Sequence, residues 1–254
     1  MKTTRIPLMA LLLAIGLAAC GSEISPLAPE PTAPSADLTT DSPLDAQPLR
    51  ALPFRRILCF GDSTTKGVTS RGFFEQFTLS PVEGYIPKLG RLLRQEFGDR
   101  GQLFNSGIGG ETTTQGLERL RIEIRSARYD LVLILEGVVD VNNPQPGFEQ
   151  ARFNLKEMMR VVKGEGIPVI IGTAPPLNDD GFRTRGAENI PKLNEIIREE
   201  AALEKVPLAD HAQAFGRDLT LQGPDGLHPN DAGYELIAET WLEIIVELAA
   251  KMET

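Results

Sequence analysis

The stretch Ile57-Leu58-Cys59-Phe60-Gly61-Asp62-Ser63-Thr64-Thr65-Lys66-Gly67 decides how the chain is read. Four apolar residues, Ile57 to Phe60, read as a buried strand, and Gly61-Asp62-Ser63 ends it abruptly. A serine beside a glycine, just past the carboxyl end of a strand, sits where open α/β sheets place their chemistry. The same residue types also make an ordinary turn. A second stretch near the other end, Asp225-Gly226-Leu227-His228-Pro229-Asn230, shifts the balance. It sets a carboxylate and an imidazole three residues apart on a glycine turn that opens a helix, with Pro229 suited to the first helical position. Serine, histidine and aspartate are the parts of an activated nucleophile, in which the imidazole takes the hydroxyl proton and the carboxylate fixes its tautomer.

Outward from Ile57 the chain alternates between two hydrophobic periods. Strands are expected at Ile57–Phe60, Gln102–Asn105, Leu131–Leu135, Ile167–Gly172 and Val206–Ala209. Helices are expected at Tyr85–Phe97, Thr113–Ala127, Phe148–Lys163, Ala187–Glu204 and Asn230–Lys251, where apolar residues recur at three and four. Leu131–Leu135 is apolar throughout, as a central parallel strand covered on both faces must be. Five strands alternating with helices give a three-layer α/β/α domain with a doubly wound, five-stranded parallel sheet. The strand ends of such a sheet converge on one edge. Ser63, Gly110, the loop after Leu135 and the Asp225–His228 turn therefore meet there.

The first 53 residues are not part of that domain. Lys2 and Arg5, the apolar run Ile6–Ala18 and the small residues before Cys20 have the form of a cleaved export signal covering residues 1–19. Leu17-Ala18-Ala19-Cys20 resembles the lipobox of bacterial lipoproteins, which implies that Cys20 is lipidated and becomes the first residue. An ordinary secretory signal with a chance cysteine is the other reading. Gly21 to Pro53 carries seven prolines among Ser, Thr, Ala and Asp and keeps no apolar period, so residues 20–53 form a lipid-bearing, extended linker. The domain occupies residues 54–254. The expected location is a bacterial cell envelope, anchored through the lipid. Gly21 is not the aspartate that marks inner-membrane retention in some bacteria, so the outer membrane is favoured.

Several classes are excluded or disfavoured. The net charge of −9, which becomes −11 once Lys2 and Arg5 leave with residues 1–19, suits neither nucleic acid nor anionic headgroups. Two histidines and two cysteines offer no metal-ligand cluster. Gly107-Ile108-Gly109-Gly110 lacks the third glycine of a dinucleotide loop, because Thr112 stands there, and no cofactor is expected. Cys59, inside the first strand, reads as a small buried apolar residue, and His211 as structural. Phe73, Phe74, Phe77 and Leu79 in the loop after Ser63 suggest an apolar wall for an acyl or aryl group, or simply residues that pack the loop down.

From Ile57 to the last helix the chain resembles the SGNH/GDSL hydrolases. Phe60-Gly61-Asp62-Ser63 matches their first block; Asn105, Gly107, Gly110 and Thr112 the second; Asp225, His228 and Pro229 the last. The resemblance implies a flavodoxin-like fold and a serine esterase without cofactor, of lipase, lysophospholipase or arylesterase type. It implies Ser63 as nucleophile, His228 and Asp225 as its partners, and the amides of Ser63 and Gly110 as oxyanion donors. An α/β-hydrolase elbow, G-x-S-x-G, does not fit, since Thr65 occupies its last position. The third block departs from the family. Its Gly-x-Asn-Asp reads Gly137-Val138-Val139-Asp140, so Val139 replaces the asparagine that donates to the oxyanion. Asn142 and Asn143 are the nearby amides that could stand in.

The expected substrate is a small ester or a lipid. Two rivals stand beside an esterase of aryl or acyl esters. One is a carbohydrate O-acetylesterase. The other, from a different class, is a surface binding protein on the same scaffold with a weakened oxyanion site.

Overall fold

A computed structural model describes residues 51–70, 78–79, 84–142 and 147–252. Strand β1 (Arg56–Gly61) runs directly into the short helix α1 (Ser63–Lys66), followed by β2 (Val68–Thr69), β3 (Thr78–Leu79) and α2 (Tyr85–Phe97). Next come β4 (Gln102–Gly107), α3 (Thr113–Ser126), β5 (Leu131–Leu135), the short α4 (Val138–Val141) and α5 (Phe148–Gly164). The last third holds β6 (Val169–Gly172), α6 (Ile190–Glu204), β7 (Leu208–Ala209), α7 (His211–Phe215) and α8 (Asp231–Met252). Strands β2 and β3 form a small antiparallel pair of their own.

The main sheet is parallel with order β4-β1-β5-β6-β7. Numbered within the sheet this is 2-1-3-4-5, so the doubly wound reading holds, and the chain leaves β1 and β4 in opposite directions. The two-residue period sorts the strands between two cores. Leu58, Phe60, Val132, Ile134 and Ile171 pack with α3, α5 and α6, while Ile57, Cys59, Leu131, Leu133 and Ile170 pack with α2 and α8. Both faces are covered, which is why β5 is apolar at every position. Cys59 is a free, buried thiol, pushed up to about 12 by burial despite its hydrogen bond with Tyr85. Among the described residues no helix is long and apolar enough to cross a membrane.

Boundaries differ from expectation where proline stands. The strand expected from Ile167 begins at Val169, and the one expected from Val206 begins at Leu208. In each case the preceding proline gives its carbonyl to the ladder, Pro168 to the Val132 amide at 3.0 Å and Pro207 to the Ile171 amide at 3.1 Å, but has no N–H to return. Residues Ala187–Asn189 form a 3₁₀ turn, and α6 begins only at Ile190. Pro229 is not the first residue of α8. It pairs with Gln222 as an isolated bridge, and Asn230 takes the cap, its Oδ1 accepting from the Gly233 amide at 3.1 Å.

The tightest point is the end of β1. Gly61 lies between Gly107 of β4 and Leu135 of β5, and a Cβ there would overlap the Leu135 carbonyl oxygen and the Thr65 hydroxyl. Gly61→Ala should therefore destabilise the domain by about 2–3 kcal/mol, an overpacking cost set mainly by backbone that cannot yield. Urea unfolding checks this, and a midpoint equal to that of the wild type would show that the strands are not held so closely.

Candidate active site

Ser63 is the first residue of α1, and Asp62 caps it, its Oδ1 accepting from the Thr64 amide at 2.8 Å. The turn ends at Gly67, whose φ of 86° is left-handed. Helix α1 and the end of β4 press together so closely that a Cβ on Gly107 would overlap the Lys66 backbone. Asn105 steadies this junction, accepting from the Gly107 amide at 3.0 Å and donating to the Lys66 carbonyl at 3.4 Å. Thr112 caps α3 in a reciprocal box with Gln115. Two residues of the second sequence block are thus scaffolding for the loop that carries Gly109 and Gly110.

Before α8, the Asp225–His228 turn folds back on itself. Asp225 Oδ1 accepts from the amides of Leu227 at 3.0 Å and His228 at 2.9 Å. Its Oδ2 meets His228 Nδ1 at 2.6 Å, and His228 Nε2 meets Ser63 Oγ at 2.8 Å. Burial acts to raise the Asp225 carboxyl, but the bond and charge of His228 and the two amides outweigh it and hold the group below the usual carboxylate range. An ionised Asp225 only accepts, so Nδ1 carries the imidazole proton and Nε2 is left to accept from the Ser63 hydroxyl. The structure therefore joins Ser63, His228 and Asp225 in one hydrogen-bonded chain.

Around it lies a cavity of about 370 Å³ lined by Lys66, Val68, Gly109, Gly110, Val139, Arg183 and Leu227 together with Ser63 and His228. Gly110 and Val139 thus share one cavity with the serine. A Cβ on Gly109 would stand 3.7 Å from that of Ser63, and Gly110 has a φ of 78° with open space where a side chain would project. Asn142 is placed differently. Its amide nitrogen donates to the Arg183 carbonyl at 3.1 Å and its oxygen accepts from the Arg185 amide at 2.8 Å, so both ends anchor a loop and neither lines the cavity. Asn143, Phe73, Phe74, Phe77 and Cys20 lie outside the described residues, and Leu79 is in β3. Asp140, the last residue of the third block, accepts from the Thr113 amide at 2.9 Å and hydroxyl at 2.7 Å, fastening α4 to the start of α3.

The segment around Asn178–Thr184 has no counterpart among the sequence motifs. It clamps the Asp225 turn: the Arg183 amide donates to the Asp225 carbonyl at 3.1 Å, and the Asn178 amide to the Gly226 carbonyl at 2.8 Å. Gly181 was its one visible signal, since a Cβ there would overlap the backbone of Asp225 and Gly226. The Ser70 hydroxyl accepts from the Asp225 amide at 3.1 Å from a position that carries no motif. His211 stands apart, fully buried in an edge-to-face contact with Trp241 at 4.8 Å, and burial pushes it down to about 3, so it is a neutral core residue.

Asp62 supplies a pH test of this geometry. Burial pushes its carboxyl up to about 6, against the opposing effects of the Thr64 amide and the His228 charge. The folded chain thus holds a proton that the unfolded chain releases near 3.8, and the stability this gives at low pH is lost as pH rises through about 6. Asp62→Asn keeps the acceptor for Thr64 and cannot ionise. Its stability relative to wild type should improve between pH 4 and about 6 and then level off. Denaturant titration across that range checks this, and an offset independent of pH would mean that Asp62 is not held in the protonated form.

Residues 59–236 match the model of the GDSL-like lipase/acylhydrolase family. A multidomain esterase of Ruminococcus flavefaciens is 31% identical over 126 residues, a match spanning 48% of this chain and 16% of that protein. The chain thus corresponds to only a small part of that relative's length. The lipase/acylhydrolase from Enterococcus faecalis is similar in structure at 29% identity and a TM-score of 0.64, over 78% of this chain and 96% of that one. The M. smegmatis aryl esterase shares the fold at 22% identity and a TM-score of 0.63, over 78% and 98% of the two chains. The family match runs from β1 into α8 and takes in Ser63, Gly110, Asp225 and His228, and the chain belongs to the GDSL-like lipase/acylhydrolase family.

Proposed function

We propose that the chain is a serine esterase that hydrolyses carboxylic esters through an acyl-enzyme. The observation that carries this reading is the Ser63–His228–Asp225 chain, with links of 2.8 Å and 2.6 Å, whose serine and histidine line a cavity. Ser63 Oγ attacks the ester carbonyl carbon while His228 Nε2 takes its proton, and Asp225 steadies the imidazolium. The amides of Ser63 and Gly110 hold the oxyanion, and the tetrahedral intermediate collapses as His228 returns the proton to the departing alcohol. Water then attacks the acyl carbon with His228 again as base, releasing the acid and restoring Ser63. Val68, Val139 and Leu227 give the cavity apolar surface, which supports short to medium acyl or aryl esters over acetylated sugars. The segment Leu17-Ala18-Ala19-Cys20 supports attachment to a bacterial envelope membrane through lipid on Cys20, and Cys20→Ala should move the protein from the membrane to the soluble fraction.

Ser63→Ala should abolish hydrolysis of an activated aryl ester while the circular dichroism spectrum is unchanged, and His228→Ala should lose comparably because the members of such a set act as a unit. Undiminished turnover in folded Ser63→Ala would end the acyl-enzyme reading. The same assay on esters graded by acyl length, with acetylated xylan alongside, tests the substrate class. A clear preference for the acetylated sugar would reverse it.

Val139 predicts a slow catalyst. A side-chain amide in this position gains strength as the carbonyl oxygen gains charge, and loss of one such donor costs on the order of 2.7–4 kcal/mol in the barrier. Valine brings methyl groups instead. Val139→Asn should raise kcat by at least about tenfold, roughly 1.4 kcal/mol, with little change in KM. An unchanged kcat would mean that position 139 does not face the developing charge.

A further inference from the structure

Four acidic residues border the loops of the site. Asp62 precedes Ser63, Glu111 follows Gly110, Glu136 precedes Gly137, and Asp140 follows Val139. Three of them are nearly inaccessible: Asp62 is 2% exposed, Glu111 5% and Glu136 2%. Each has a donor except one. Asp62 takes the Thr64 amide, Asp140 takes Thr113, and Glu111 accepts from Arg119 Nε at 2.8 Å and pairs again with its Nη2. Neither oxygen of Glu136 meets a donor among the described residues. The group that it faces is the carboxyl of Glu111, since the point where a Cβ on Gly116 would stand is 3.3 Å from Glu136 Oε1 and 3.5 Å from Glu111 Oε2.

Two ionised carboxylates have no hydrogen to place between them, and a buried one without a donor is costly, so a single proton on the pair is what this arrangement accommodates. Arg119 already lies on Glu111 and stacks over the Phe60 ring at 3.9 Å, which favours the charge on Glu111 and leaves the proton on Glu136. The space is kept by Gly116, in the first turn of α3, where an alanine would be the better helix former. A Cβ there would lie 3.3 Å from Glu136 Oε1, 3.5 Å from Glu111 Oε2 and 3.0 Å from the Met158 methyl group.

We propose that Glu136 is a positioning residue whose carboxyl O–H donates to the Glu111 carboxylate, so that one shared proton ties the loop bearing Gly110 to the loop bearing Val139. The charged groups facing this pair are Asp62 at the end of β1, Arg119 on α3 and Asp140 on α4, with His228 acting on Asp62; α5 presents the Met158 methyl group. Loss of the proton would leave like charges facing each other between the two loops and would pull the Gly110 amide out of register with Ser63. The catalytic half of the proposal rests on the reading of Gly110 as an oxyanion donor. The shared proton does not.

Burial first, and then the neighbouring acids, raise the Glu136 carboxyl well above its ordinary 4.5. The folded chain therefore keeps a proton that the unfolded chain releases, and stability present below about 4.5 is lost steadily as pH climbs toward the folded-state value. Glu136→Gln donates to Glu111 without ionising. Measured by melting temperature from pH 5 to 9, wild type should fall relative to Glu136→Gln as pH climbs toward the folded-state value. A constant difference between the two over that range would overturn the shared proton. On an activated aryl ester, Glu136→Gln should keep kcat within about threefold of wild type. Glu136→Ala should lose at least about tenfold in kcat with KM within about twofold, a split that rescue by glutamine separates from general damage. Full kcat in Glu136→Ala would overturn the positioning role. Should wild type hydrolyse no ester at all, the proposed function fails, while the stability comparison still decides the proton.

Discussion

The structure depends on how β1 ends. It lies between β4 and β5, and its last residue has to pass both neighbours without a side chain, which is why position 61 is glycine. Beyond it the Gly61 carbonyl accepts from the Ile108 amide at 2.9 Å, and the chain turns into α1 within one residue. That abrupt stop sets Ser63 against the loops that follow β4 and β5. Because the chain leaves the sheet in opposite directions from β1 and β4, those loops diverge and leave a crevice between them, the switch point at which open parallel sheets bind ligands. Gly110 and Val139 owe their places to this topology rather than to their neighbours in sequence.

The other half of the site is brought in from the start of α8 and has to be held there. Asp225 is fully buried, an arrangement that would be costly for an unpaired carboxylate. Its cost is offset by three bonds to one residue pair: Nδ1 and the amide of His228, and the amide of Leu227. The turn is then clamped from outside by the segment around Asn178–Thr184, by the Gln222–Pro229 bridge and by Asn230, whose amide reaches the Thr220 carbonyl at 2.6 Å. Preorganisation of this kind is what general-base catalysis requires, since the imidazole must already stand at hydrogen-bond reach of the hydroxyl.

Much of this was legible in the chain itself. The apolar runs of β1 and β5 report a sheet covered on both faces, and the local Asp225-Gly226-Leu227-His228 spacing reports a turn that pairs carboxylate and imidazole. What stayed hidden depends on partners distant in sequence. Helices of four or five residues, α1, α4 and α7, are too short to show a period. Pro168 and Pro207 shorten strands because each takes part in the ladder as an acceptor alone. Asn142 looked like a substitute donor from its place near Val139, but the 183–185 segment, some 40 residues on, occupies both ends of its amide. Glu136 left a trace that went unread: a single acid closing the apolar run Leu131–Leu135.

The central claim is that Ser63 carries the acyl group. Intact-mass spectrometry of the protein, quenched with acid during turnover of an activated aryl ester, tests it most directly. The account predicts one acyl adduct per chain, mapping to the peptide that contains Ser63 and absent from His228→Ala. Turnover with no adduct, or an adduct on another residue, would contradict it.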